Sequence, residues 1–157
     1  IASLRMPTHY SFKELKFKNK KQRQNYNRLV RNVKKTLPIA KEVNRAIIET
    51  YEFLQTLPNE KAREKHLQAV EKSVKEQYTP RMKKLTFSQG KLLIKLINRE
   101  TDSSSYELVK AFLGPFKAGF YQAFAAIFGA SLKKEYHPEG EDAEIERIVL
   151  LVESGQI

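Results

Sequence analysis

Apolar residues recur along this chain at steps of three and four, a spacing that predicts helix for most of its length. From Tyr26 the series runs through Leu29, Val30, Val33, Leu37, Ala40, Val43, Ile47, Tyr51 and Leu54. At 3.6 residues per turn these side chains form one stripe, so a single long helix with one buried face is expected. Asn19 stands ahead of it as an N-cap, and Gln22 three residues later completes a weak capping box. Pro38 removes one intrahelical hydrogen bond and crowds the preceding turn, which predicts a kink or short break near Thr36 to Pro38. Leu57-Pro58-Asn59 then stops the helix and restarts the chain. Leu67, Val70, Val74 and Tyr78 mark one side of a second helix, from about Glu60 to Tyr78. So short a connection makes the second helix an antiparallel partner of the first. Thr79-Pro80 reads as the cap and first residue of a third helix, with Ser88 as a second cap. Leu92, Leu93, Leu96 and Ile97 supply its apolar face, which ends near Asn98.

The second half follows the same period. Asp102 to Ser105 is polar, and Ser104 with Glu107 makes a capping box. Gly114-Pro115 divides a short helix from a longer one. Phe112, Phe116, Phe120, Phe124 and Phe128 recur every four residues, with alanines and glycines between them. Each step overshoots a full turn by about 40°, so the rings wind around the helix and predict a position in the middle of the fold. These rings would also suit a cofactor or lipid slot, but core packing is the simpler reading. After a loop from Glu135 to Asp142, Ile145, Ile148, Val149 and Val152 keep the helical period in a last helix. The expected fold is all-α: a single helical bundle of five or six helices, with a long kinked first helix and a central Phe- and Ala-rich helix. Residues 1–15 carry no period and read as an extended arm lying on a helical domain of residues 16–157.

Composition narrows the function classes. The chain has 157 residues, the size of one domain, and no cysteine, which removes disulfides, thiolate metal sites and a cysteine nucleophile. No segment is apolar enough to span a bilayer. The chain opens on Ile1 instead of Met, so a processed or truncated form is expected, and a removed signal peptide would leave no trace.

Charge changes the picture more. Of a net charge of +11, nine units come from Lys16 to Lys35, which hold no Asp or Glu. From Glu135 to Ile157 the balance reverses, with seven acids against Arg147 alone. At 100° per residue, Lys20, Lys21, Arg23, Arg28, Arg31, Lys34 and Lys35 share about 160° of helix circumference, opposite the apolar stripe. A surface of this kind suits phosphates of nucleic acid, anionic headgroups or an acidic protein surface. The plain alternative is a solvated face, or one docked on the acidic segment of its own or a neighbouring chain.

Other candidates are weaker. Glu139, Glu141, Asp142 and Glu144 lack the ligand pattern of a calcium loop and suit a helix start instead. His9, His66 and His137 have no second ligand at metal-binding spacing. Gly90-Lys91 lacks the earlier glycine of a phosphate loop. No catalytic residue, metal or cofactor is therefore expected.

Four stretches carry a resemblance: FKNKKQRQNYNRLVRNVKKTLPIAKEVN, TPRMKKLTFSQGKLLIKLI, SSYELVKAFLGPFKAGFYQAFAAIFGASLKKEY and PEGEDAEIERIVLLVESGQI. Together they resemble a Bacteroidetes family known only as a domain of unknown function, across nearly everything from Lys16 onward. The resemblance implies an export signal and an extracytoplasmic location, periplasmic or envelope-associated, and brings no activity or ligand. The family often has Asp and Cys where this chain has Asn98 and Thr101, and Asp at His137, so these three positions are poor candidates for obligatory chemistry. The resulting expectation is a non-catalytic extracytoplasmic binding or structural protein whose basic face meets an acidic protein surface or membrane headgroups. Nucleic-acid binding through the same face is the alternative, and an enzyme with an unfamiliar cleft site is a third.

Overall fold

The computed structural model describes residues 8–102, 113–129 and 136–157. Among these residues it holds five α-helices and no strand: α1 Lys20–Gln55, α2 Glu60–Met82, α3 Phe87–Asp102, α4 Leu113–Phe128 and α5 Ala143–Glu153. The all-α class follows, and the Ile148 to Val152 run is helical despite its strand-like composition. The capping box at Ser104 and Glu107, the short helix before Gly114 and Phe112 lie outside the described residues. The fold divides into two compact units: the described residues up to Lys35 with His137–Ile157, and the residues within Thr36–Tyr136. The division falls inside α1, which runs on through Pro38 as one unbroken helix. Leu37 and Ala40 are buried on either side of the proline, and that packing holds the turn in place of the missing hydrogen bond.

In the first unit the opening of α1 is capped by side chains. Asn19 Oδ1 accepts from the Gln22 N–H at 2.9 Å, while Gln22 Oε1 accepts from the Lys18 N–H at 2.7 Å. α5 begins after a loop closed on itself. The Asp142 carboxylate accepts from the His137 N–H at 2.9 Å, and the Asp142 N–H donates to the His137 carbonyl at 3.1 Å. Glu144 and Glu146 occupy the first turn, where negative charge suits the helix dipole. The other end closes on Gly155, whose φ of 74° suits glycine, with the Gln156 N–H donating to the Leu151 carbonyl at 2.9 Å. That turn delivers the Gln156 side chain to the arm. Its amide pairs reciprocally with the Tyr10 backbone, accepting at 2.8 Å and donating at 2.9 Å. Arg147 adds a second tie, donating to the Lys13 carbonyl at 2.8 Å with its guanidinium 4.8 Å from the Phe12 ring centre.

In the second unit, α2 runs back along α1. Glu42 meets Arg81 at 2.6 Å near one end of the pair, and Phe53 meets His66 with ring centres 4.6 Å apart near the other. α2 continues past Tyr78, so the helix start expected at Thr79-Pro80 is instead its last turns. Tyr78 and Met82 are buried on either side of Pro80, and their packing outweighs the proline's local penalty. α3 starts at a different box: Thr86 Oγ1 accepts from the Gln89 N–H at 3.2 Å, and Gln89 Oε1 accepts from the Thr86 N–H at 3.1 Å. Ser88 is therefore not the cap, and α3 extends beyond Asn98 to Asp102. Its Leu92, Leu93, Ile94, Leu96 and Ile97 are all buried. α4 adds Phe116, Phe120, Ala123 and Phe124 to this core. It lies antiparallel to α2 at a backbone approach only glycine permits. A Cβ on Gly119 would fall 2.8 Å from Val74 Cγ1 and 2.9 Å from the Glu71 carbonyl oxygen. A Cβ on Gly90 of α3 would meet ring edges instead of backbone, 2.9 Å from Phe128 and 3.3 Å from Phe124.

Candidate anion-binding face

α1 positions the cations by burying its other side. Lys20, Lys21, Arg23, Arg28, Arg31, Lys34 and Lys35 are all exposed, whereas Val33 is fully buried and Tyr26, Leu29 and Val30 are partly so. The seven extend about 22 Å along the helix at 1.5 Å per residue. None of them forms an ion pair among the described residues, although Arg23 sits 5.7 Å over the Phe17 ring. Lys20, Lys21 and Arg23 stand in the first turns of α1, whose first turn holds no acid. The helix dipole is positive there, so each such cation costs about 0.3–1 kcal/mol at an exposed end.

Beside this face lies an open groove of about 600 Å³ in the same unit. Leu15, Phe17, Tyr26 and Leu29 give it apolar surface, with Phe17 and Tyr26 in ring contact at 5.4 Å. Three side-chain amides line it as well, Gln22, Asn25 and Asn32. Its charged groups are Lys16, Arg28 and, from the start of α5, Glu144. Asn25 and Asn32 fall on the helical strip between the apolar stripe and the cations, a band visible on a helical wheel, whereas Gln22 stands within the stripe at the start of the helix.

The second unit contains a polar cluster that periodicity alone does not reveal. Glu100, 8% exposed, lies 2.8 Å from Arg99 and 3.5 Å from Lys41. Asn98 and Thr101 are buried beside it in sequence, and the Thr101 hydroxyl donates to the Asn98 carbonyl at 3.0 Å. Buried charge of this kind needs its partners, so the cluster reads as support for the end of α3. A second groove of about 520 Å³ runs along α1 and α2, where Arg45, Glu49 and the Glu42–Arg81 pair surround Tyr78. Burial, with Glu42 nearby, raises the Tyr78 hydroxyl above its ordinary pKa against the opposing pull of Arg81.

The remaining sequence candidates have local explanations. Asp142 is fully buried and closes the 137–142 loop, while Glu139, Glu141 and Glu144 are exposed. His66 packs on Phe53, and His137 binds Asp142 through its backbone. No group of three or more metal-ligating side chains is placed to hold an ion among the described residues. No helix among them is long and apolar enough to cross a membrane.

No curated protein and no solved structure matches the chain. Residues 1–151 match a protein family described as a domain of unknown function, DUF4294. That match covers nearly the whole length and both units, and the chain belongs to this family.

Proposed function

We propose that this chain is a non-catalytic binding or structural protein acting outside the cytoplasm, in the bacterial envelope, and that its basic α1 face engages an anionic partner. The partner is an acidic protein surface or membrane headgroups. The observation that carries this reading is the set of seven exposed cations without a carboxylate partner among the described residues. Three of them stand at the positive end of a helix, where acids would serve stability better. Local rules broken at a surface without structural return are a mark of a functional site. The extracytoplasmic location, and a Bacteroidetes source, rest on the sequence resemblance.

Binding of three anionic probes at about 50 and about 200 mM salt tests the reading: duplex DNA, phosphatidylglycerol vesicles and an acidic peptide. The expected result is affinity for the peptide or the vesicles that falls at least about tenfold between the two salts, with no affinity for neutral phosphatidylcholine vesicles. Preference for DNA over both would favour the nucleic-acid alternative. Failure to hold any of the three at low salt would overturn the proposal.

A further inference from the structure

We infer that the groove beside the basic face receives an extended, acidic segment of a partner protein. This rests on the reading of the α1 face as the place where an anionic partner lands. It goes further by naming the groove as the specific site and a peptide as its occupant.

Shape supports a chain over a flat surface. From Gln22 to Asn32 the lined part of α1 rises about 15 Å, the length of four to five residues of extended peptide. A bilayer surface is broad and cannot fill a concave groove of about 600 Å³. The hydrogen-bonding groups also match. A side-chain amide offers both a donor and an acceptor, the pair that a peptide unit presents along its edge. Asn25 is exposed and makes no hydrogen bond to any described residue, so both of its functions are open to a ligand. Gln22 uses its carbonyl oxygen on the Lys18 N–H and keeps its NH2 group. The same unit already employs this chemistry on itself, where the Gln156 amide holds the extended arm by both polar atoms of Tyr10.

Charge then selects the sequence of the occupant. Lys16 and Arg28 bring positive charge to the groove and Glu144 brings negative charge. Successive side chains of an extended segment point to opposite sides. Acids at every second position therefore present their charge along one side of the segment, which can turn to the cations and leave small neutral residues on the other side. A run of consecutive acids would present its charge on both sides at once, and one of those sides turns away from the cations.

A fluorescein-labelled peptide of about ten residues, alternating Glu and Ser, is long enough to fill the groove. Titrated against the intact chain, it should bind more tightly than a peptide of equal charge with its glutamates in one block. Asn25→Leu should weaken that binding about tenfold or more and leave binding of inorganic polyphosphate to the basic face unchanged. Asn25→Asp, nearly the same size, should weaken it further by adding negative charge, and circular dichroism should show both variants fully helical. Peptide binding that survives both Asn25 variants but is lost in the Arg28→Glu, Arg31→Glu, Lys34→Glu triple variant would overturn the groove and leave the basic face standing. Vesicle binding without peptide binding would do the same, in favour of lipid. Loss of both peptide and polyphosphate binding in the wild-type chain would remove the groove and the face together.

Discussion

Phe120→Ala should destabilise the protein by about 3–5 kcal/mol, read as a lower denaturant midpoint in urea. Phe120 is 2% exposed and its ring centre lies 4.8 Å from that of Tyr78, so it joins α4 to α2. The preceding residue, Gly119, brings the two backbones too close for any Cβ. Helices held that near each other cannot slide inward to refill the space of a lost ring. The cavity term therefore adds to the lost transfer free energy instead of being relieved by collapse. A loss below about 1 kcal/mol would mean that the contact is loosely packed and that α4 does not anchor the second unit.

Glu100→Ala should cost about 2–4 kcal/mol in the same measurement, for a different reason. The side chains of Glu100 and Arg99 are 10% and 14% exposed, and removing the carboxylate leaves the guanidinium desolvated without this counterion. Lys41 is 41% exposed, so water replaces most of what it loses and the total stays below that of a fully buried triad. Glu100→Gln keeps the shape and one hydrogen-bonding oxygen and should fall between wild type and alanine. Equal stability of Glu100→Ala and wild type would show that solvent already screens the cluster.

The contrast between these sites explains what the sequence disclosed. The apolar stripe of α1, its Asn19 cap and the period of α5 were legible because each is a local pattern repeated over several turns. The two interior prolines stand within continuous helices for one shared reason. Buried neighbours, Leu37 and Ala40 at Pro38 and Tyr78 and Met82 at Pro80, override a penalty of about 3 kcal/mol that proline alone would impose. Thr86 and Gln89 formed a readable capping box, but the stronger-looking Thr79-Pro80 pair drew the helix start seven residues too early. The Glu100 cluster was hidden because Lys41 and Glu100 are far apart in the chain and neither residue stands out alone.

The candidate site was half legible. Its seven cations follow from a helical wheel, and the structure places all of them on the exposed side of α1. The groove was not, because it also needs Leu15, Lys16 and Phe17 from the arm and Glu144 from the far end of the chain. Only tertiary structure brings those residues to Asn25 and Arg28. Proximity of this kind is set by how the Gln156 amide and the Arg147 guanidinium secure the arm, and neither contact has a local signature.

Charge reversal of the α1 face is the most direct test of the functional account. Each cation near an anionic surface contributes about 1 kcal/mol, so Arg28→Glu, Arg31→Glu and Lys34→Glu together should weaken binding to the preferred anionic probe by about 100-fold or more. Because all three side chains are exposed and unpaired among the described residues, the unfolding midpoint of the variant should match or exceed that of the wild-type chain. Undiminished affinity in a variant of unchanged stability would contradict the account.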